Sequence, residues 1–264
     1  MTFSEWRKIR LPVLRKQYFK GVPSVSVTAV IYHFWNDDET NSRFEDTEFS
    51  ILQTWHCCGL LPARIITNRP CTAMLRFKQK HEYVDVFISP RLIPGSIPSM
   101  SLDMNGYLSS YFETDYVLII QNDGFPLQSG LDKYLHNYTY WGAPFSLARG
   151  VQPWIDKVFP CSVGNGGFSL RRRDLCVEAN KLWNKWKWLI QDTRWMPEDG
   201  YYCLILRLLS WRYRRLISLP SRAEAFAFGY DKLAVIPVPE KLPFGVHGVT
   251  SFEALYDKFA DEII

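Results

Sequence analysis

Four short segments of the chain carry residue types that could do chemistry. Asp123 follows a run of apolar residues in the segment QNDG, and Glu198 and Asp199 form an adjacent acidic pair in PEDG. His247 stands between glycines in FGVHG, and the segment GNGG has three glycines in four residues. Carboxylates and imidazoles serve in proton transfer and metal binding, so these segments are the candidates for an active site.

Asp123 and His247 together could coordinate a divalent metal ion. A carboxylate is hard enough for Mg²⁺ or Mn²⁺, and imidazole suits Mn²⁺ better. A single histidine in a loop is more often a hydrogen-bonded surface or core residue, although flanking glycines let the ring approach a bound group. The residues alone leave both interpretations open.

The acidic pair also has two interpretations. Pro197 suits the start of a helix, and acidic residues are common in the first helical turn because they complement the helix dipole. Alternatively, one carboxylate at a pocket edge acts as a general base, ionised at its ordinary pKa and able to accept a hydroxyl proton.

The GNGG segment comprises Gly164, Asn165, Gly166 and Gly167. Missing side chains suit a sharp turn or a close approach to a ligand, and Asn165 offers donor and acceptor groups. A β-bulge or hairpin would explain the glycines as well. The segment lacks the spacing of the dinucleotide fingerprint and of the phosphate loop, so the cofactors of those motifs gain no support.

Alternating strands and helices must position these segments. The pattern predicts strands at 25–32, 63–68, 83–90 and 116–120, with helices at 43–58, 75–82 and 100–112 between them. Such alternation is typical of a parallel sheet, and ligands bind beyond the carboxyl ends of its strands. In the second half we predict helices at 172–189 and from the acidic pair to about 211.

Length and composition favour one domain at 25–264, preceded by a basic amphipathic segment at 1–24. The chain has 264 residues, 47% of them hydrophobic, which is enough for a substantial core. Residues 1–20 hold six cations against Glu5 and account for more than the whole net charge of +4. Basicity confined to one terminus argues against nucleic-acid binding.

The N-terminal segment alternates its cations with apolar residues, a pattern that can rest on anionic lipid headgroups. A solvated surface face is the commoner outcome, and Pro12 would break or kink a helix there. No run of apolar residues is long enough to span a bilayer, and we expect no signal peptide because Arg7 and Arg10 stand where one would need an apolar stretch. We therefore expect a cytoplasmic location, with a peripheral contact at the cytoplasmic face of the membrane, and cysteines that remain free thiols.

Taken in order, the segments QNDG, WGAPF, GNGGFSLR, PED and FGVHG resemble the predicted glycosyltransferases of the family named domain of unknown function 5672. The resemblance covers residues from roughly 25 to 248. More distantly, the chain resembles the nucleotide-diphospho-sugar transferases of GT-A fold, including the β-1,4-galactosyltransferases. This implies a single GT-A-like α/β domain with a mostly parallel, Rossmann-like central sheet flanked by helices.

The resemblance also implies roles on the donor side. It places Asp123 at the final aspartate of the D-x-D motif, which binds a metal that bridges the donor diphosphate. His247 falls where a C-terminal histidine often completes the coordination. Gln121 replaces the first aspartate of the motif, so strict dependence on Mn²⁺ or Mg²⁺ does not follow.

On the acceptor side, the resemblance matches Asp199 to the catalytic base of inverting members and leaves Glu198 to orient the acceptor. Gly166 and Gly167 would border the donor sugar and the acceptor. The remaining predicted donor or acceptor contacts are Asn122, Asn165 and Trp141. Aromatic rings could stack on sugar faces, although most tryptophans pack in cores; the candidates are Trp141, Phe145, Trp154 and Trp195.

These implications predict a glycosyltransferase that uses a nucleoside-diphosphate sugar, with a UDP-sugar favoured. The acceptor would be a glycan or lipid-linked glycan in the synthesis of cell-surface polysaccharide or glycoconjugates. One alternative is a sugar nucleotidyltransferase, which would favour a glycine-rich basic signature after the first strand, where the chain has YHFWNDDETNSR. The other is a noncatalytic homologue that binds sugar or nucleotide, for which Gln121 is the best argument.

Overall fold

The structure, a computed structural model, describes residues 1–17, 19, 21, 23–34, 44–92, 96–144, 163–190, 197–206, 216–231 and 237–264. Its strands are β1 (Val27–Tyr32), β2 (Ala63–Thr67), β3 (Val84–Ile88), β4 (Tyr116–Ile120), β5 (Gly124–Pro126), β6 (Tyr140–Gly142), β7 (Ser169–Arg172), β8 (Gly229–Asp231) and β9 (Gly245–His247). Its helices are α1 (Phe3–Lys16), α2 (Phe44–Cys58), α3 (Thr72–Lys80), α4 (Ile97–Tyr107), α5 (Arg173–Ile190), α6 (Glu198–Gly200, continued by a π-helical turn at Tyr201–Ile205), α7 (Arg222–Phe228) and α8 (Val249–Phe259).

In the described ranges, the central sheet has six strands in the order β3-β2-β1-β4-β7-β6. Strands β1 to β4 run parallel, while β7 is antiparallel to both of its neighbours. The mostly parallel sheet predicted from the sequence is confirmed. All residues of β1 and β4 are buried, and the chain order reverses between these two strands, which makes the crevice at their carboxyl ends the place for a ligand.

A smaller sheet, β5-β9-β8, is joined to the carboxyl end of β4 by a tight turn. The N–H of Gln121 donates to the carbonyl of Gly124 at 2.9 Å, and the reverse bond measures 3.0 Å. The turn sends the chain into β5, which pairs Gly124 with His247 of β9. Strand β8 then pairs Asp231 with His247. This sheet therefore brings a turn, a histidine and an aspartate from distant parts of the chain together.

The elements predicted for the first half are all present, and all of them except β4 have shifted ends. Helix α4 begins at Ile97 rather than at residue 100 because Ser96 and Ser99 form a capping box that starts it earlier. It gives way to a 3₁₀ turn at Leu108–Ser110. The described cysteines are not joined in disulfides, whereas Cys161 and the predicted helix beyond residue 206 lie outside the described residues.

Helix α1 packs into the same core as the sheet. The Trp6 ring lies 5.3 Å from that of Phe49, 6.0 Å from that of Phe125 and 4.6 Å from that of Phe252. The helix continues through Pro12, with Leu11 and Leu14 buried on either side of it. Pro12 therefore does not break the helix, whose apolar face packs against the core.

Packing reduces the number of cationic and apolar side chains of α1 that are available for contact with a membrane. Arg7 forms an ion pair with Asp46, and Arg15 pairs with Glu48 at 2.6 Å, so α2 neutralises two of its cations. The apolar residues that stay exposed on α1 include Ile9 and Val13. Contact with lipid stays a prediction that concerns this outer face. None of the helices described is long and apolar enough to cross a bilayer.

The burial of Trp6 predicts that α1 stabilises the whole domain. Trp6→Ala should lower the free energy of unfolding by about 3–5 kcal/mol because it removes a large buried ring and leaves a cavity. Urea denaturation of the full chain measures this. The matched control is Ile9→Ala on the exposed face of the same helix, which should stay within about 0.5 kcal/mol of the parent. Equal effects of the two variants would contradict the packing role.

Candidate active site

A cavity of about 390 Å³ opens at the carboxyl ends of β1 and β4. The segment before β7, the start of α6 and the end of β9 close its other sides. Nine of the residues predicted for the site line it: Gln121, Asn122, Asp123, Asn165, Gly166, Gly167, Glu198, Asp199 and His247. The lining residues that were not predicted are Tyr32, Phe34, Ile97, Met100 and Pro197.

One side of the cavity is built around His247. Its Nδ1 lies 3.0 Å from Asp231 Oδ2, and its Nε2 lies 3.0 Å from Gln121 Oε1 and 3.8 Å from Asp123 Oδ1. The N–H of Gly248 donates to the Asp123 carbonyl at 2.8 Å, which fixes the turn against β9. The imidazole is therefore held at one nitrogen and directed towards Gln121 and Asp123 at the other.

The His247 ring has a pKa above its ordinary value. Burial alone would lower this pKa, but the hydrogen bond with Asp231 and the charges of Asp123 and Asp231 outweigh burial. A carboxylate on one ring nitrogen orients a histidine whose other nitrogen binds a metal, a common arrangement at metal sites. The described residues hold no group of three or more His, Cys, Asp or Glu side chains that could bind a metal ion. Asp123, His247 and the Gln121 oxygen thus fit only part of a coordination shell.

The acidic pair forms the opposite side. Glu198 is buried, with Oε1 3.4 Å from Arg171 Nη2, and its Oε2 accepts a bond from Ser101 Oγ at 3.3 Å. Asp199 is half-buried and accepts the backbone N–H of Gly200 at 2.6 Å. Burial, together with the charge of Glu198, raises the pKa of Asp199 to about 7. Asp199 can therefore exchange a proton near neutral pH.

The two sides are separated by the backbone of Gly166 and Gly167. A Cβ at Gly166 would overlap the Glu198 carboxylate, and one at Gly167 would overlap the His247 ring. Neither residue has a left-handed φ, so space rather than backbone conformation requires glycine here. Asn165 donates to Asp231 and accepts the N–H of Gly167 at 2.9 Å. The segment is thus a close-packed wall of the cavity.

Helix α2 holds the QNDG turn from behind. Ser50 Oγ donates to the Gln121 carbonyl at 2.8 Å. Thr47 Oγ1 donates to Asn122 Oδ1 at 3.1 Å and lies 2.6 Å from the Nδ1 of His33. These bonds place the turn on a rigid element, as a binding site requires.

The structure places Trp141 in the core, which corrects the predicted sugar contact. Its Nε1 donates to the carbonyl of Tyr134 at 2.8 Å, and the Tyr134 and Tyr138 rings each lie 4.9 Å away in edge-on contact. The indole does not line the cavity because this aromatic cluster encloses it. The other predicted aromatic contacts, Phe145, Trp154 and Trp195, lie outside the described residues.

Several residues around the cavity were missed from the sequence. Tyr32 and Phe34 stand at the carboxyl end of β1, so the rule that located Asp123 could have found them. The Tyr32 hydroxyl donates to the buried Asp103 at 3.0 Å. Asp231 and Arg171 carry no local signal, because their roles depend on pairings between distant strands.

Comparison with known proteins adds a family and a fold. A family model described as protein of unknown function (DUF5672) matches residues 100–247. No protein with a curated description matches significantly.

Among solved structures, the apo form of the glycosyltransferase GlyE of Streptococcus pneumoniae TIGR4 is similar with a TM-score of 0.50 and 14% identity. The match covers 84% of this chain and 54% of that one, so the chain spans about half the length of GlyE. The galactosyltransferase LgtC, in complex with donor and acceptor sugar analogues, has a TM-score of 0.56 at 10% identity over 89% and 96% of the two chains. Mouse xyloside xylosyltransferase 1 has a TM-score of 0.53 at 9% identity over 85% and 98%. At such identities the likeness shows the fold, which is GT-A-like, as predicted.

Proposed function

We propose that this chain, which belongs to the DUF5672 family, is a glycosyltransferase. It would move a sugar from a nucleoside-diphosphate sugar, a UDP-sugar first of all, to a glycan hydroxyl with inversion at the anomeric carbon. One observation carries the proposal: a single cavity at the switch point of the sheet holds two acidic centres of different character. Asp123 with His247 suits the donor, and Asp199 beside Glu198 suits the acceptor.

Asp199 is assigned as the general base. An inverting transfer needs a group that removes the proton from the acceptor hydroxyl as that oxygen attacks the sugar from the face opposite the leaving diphosphate. General bases work best when their pKa lies close to the working pH, and burial beside Glu198 brings the pKa of Asp199 to about 7. Glu198 is bound to Arg171 and Ser101, so Asp199 is the more available of the two carboxylates.

Asp123, His247 and Gln121 are assigned to the donor diphosphate and its cation. The cavity lining that is described contains three carboxylates and neither lysine nor arginine, so a diphosphate would meet like charge there. Bound Mn²⁺ or Mg²⁺ would supply the positive charge that stabilises a leaving nucleoside diphosphate. Asp231 keeps the imidazole turned towards that position.

A noncatalytic homologue that binds sugar or nucleotide is the second candidate. Gln121 stands where the D-x-D motif has its first aspartate, and its Oε1 lies 3.0 Å from His247 Nε2. An amide there offers a neutral oxygen in place of a charged ligand, which favours weaker cation binding than a full motif would give.

For the biological setting, we assign the enzyme to cell-surface polysaccharide or glycoconjugate synthesis, with a glycan or lipid-linked glycan as acceptor. A peripheral contact at the cytoplasmic face of the membrane would use the outer face of α1. Ile9 and Val13 are exposed there beside Lys8 and Lys16. This combination of apolar and cationic side chains suits an anionic lipid surface.

The first test is slow donor hydrolysis. The full chain should release nucleoside diphosphate from one class of sugar nucleotide in a panel supplied with Mn²⁺, and an accepted glycan should accelerate the release. The anomeric configuration of the product, read by ¹H NMR, should be inverted. Nucleotide binding without any turnover across the panel would favour the noncatalytic homologue. A retained configuration would exclude Asp199 as a base that acts on the acceptor.

The role of Asp199 predicts both a loss of turnover and a pH dependence. Asp199→Asn keeps the shape but cannot accept the proton, so kcat should fall by about 10²–10⁴-fold while donor affinity barely changes. In the parent protein a base must be deprotonated, so kcat should decline as the pH falls through about 7. The variant should lack that acidic limb. Collapse of donor binding with normal turnover of bound donor would show that Asp199 positions ligands instead.

The donor side predicts a cation effect. Asp123→Ala should abolish the gain in nucleoside-diphosphate affinity that Mn²⁺ gives, measured by calorimetry. His247→Ala should weaken that affinity by roughly 10–100-fold, as for loss of a supporting group at a metal site. The control is Asp132→Ala, an exposed aspartate away from the cavity, which should match the parent. Full activity in excess chelator would refute the cation assignment.

A further inference from the structure

Arg171 is a cation sealed in the interior behind the acidic pair. Its side chain has no exposed surface, and its guanidinium carbon lies 4.9 Å from the ring centre of Tyr140 and 4.7 Å from that of Tyr202. Its Nε donates to Ser169 Oγ at 3.1 Å, and its Nη2 lies 3.4 Å from Glu198 Oε1. A buried charge is costly unless it has an oppositely charged partner, and Glu198 is that partner.

The same contacts fix where Glu198 can stand. One carboxylate oxygen faces Arg171, while the other accepts the hydroxyl of Ser101 on α4. Gly166 packs so closely against Glu198 that a Cβ at this position would also come within 3.0 Å of Arg171 Nη2. Residues of β7, α4 and the glycine segment therefore hold the Glu198 carboxylate on the sides away from the cavity.

We propose that Arg171 is a positioning residue for the acidic pair: by binding Glu198, it leaves Asp199 as the carboxylate that exchanges the proton. The inference rests on the proposed function, because it presupposes Asp199 as the base. Arg171 itself would touch neither donor nor acceptor, since Glu198 and Gly166 lie between it and the cavity.

The surroundings of Asp199 give this arrangement a measurable signature. Groups from every neighbouring element face it or line the same cavity: Glu198 and Gly200 of α6, Arg171 of β7, Gly166 before β7, Tyr140 of β6, Tyr32 of β1, Asp123 after β4 and His247 of β9. Burial and the charge of Glu198 raise the pKa of Asp199, whereas Arg171 and the backbone N–H groups of Gly200 and Gly166 lower it. The two charged side chains therefore act in opposite directions.

The expected result is a pair of opposite shifts. Arg171→Met removes the cation but keeps a similar length, so the acidic midpoint of the pH profile should move up by about one unit. Glu198→Gln removes the like charge, so the midpoint should move down by about one unit. The double variant should lie between the single variants. A residue that only supported the fold would change activity or stability without this pattern.

The test has two readouts, of which the second does not depend on turnover. One is the pH dependence of nucleoside-diphosphate release, and the other is ¹³C NMR titration of the Asp199 carboxyl in labelled protein, assigned by its loss in Asp199→Asn. The control is Arg172→Met, since Arg172 pairs with the exposed Asp174 and should shift neither readout. If the parent shows no turnover, the proposed function fails while the titration still judges the role of Arg171.

Opposite shifts that appear in the titration support the inference. An unmoved midpoint in folded Arg171→Met, or shifts of the same sign in the two single variants, overturns it. If Arg171→Met does not fold, the test uses Glu198→Gln. A midpoint of the Asp199 titration that stays or rises in that variant contradicts the proposed electrostatics.

Discussion

The site depends on one close approach, in which a backbone without side chains passes between Glu198 and His247. A Cβ on Gly166 or Gly167 would occupy the volume of those two groups, and packed interiors have little room to relax. The approach is possible because β7 enters antiparallel beside β4, with Ser169 opposite Ile119. This register brings the glycine backbone against both groups, which leaves no room for a side chain at Gly166 or Gly167.

The sequence predicted the parts of this arrangement that local patterns determine. Strands that alternate with helices led to the parallel sheet, and the all-apolar strand β4 led to its centre and hence to Asp123 at the ligand edge. Arg171 could not be found this way, since it stands in a run of three arginines that is typical of a solvated surface. Only the pairing of Arg171 with Val117 and Tyr140 puts it inside, while Arg172 stays accessible.

The tryptophans show why the sequence alone could not predict the partners of apolar side chains, which depend on tertiary contacts. Trp141 was a candidate for sugar contact, and Trp6 is one of the apolar residues of the N-terminal segment whose pattern can rest on lipid, yet both rings are buried in the protein. Removal of apolar area from water is favourable whether the partner is a ligand, a bilayer or a core, so the sequence pattern is the same in each case. Whether the apolar face contacts a ligand, a bilayer or the core depends on which residues the fold places opposite that face.

The two acidic centres of the cavity differ by environment rather than by chemistry. Asp123 stands on a turn with 38% of its side chain exposed to solvent. Asp199 stands against the interior beside Glu198, where the same group has a pKa near 7. Because both centres line one cavity, a diphosphate held near Asp123 would add negative charge and so raise the pKa of Asp199 further. A cation bound with the diphosphate would offset that charge. In the proposed mechanism, donor binding and the protonation state of Asp199 are therefore electrostatically linked.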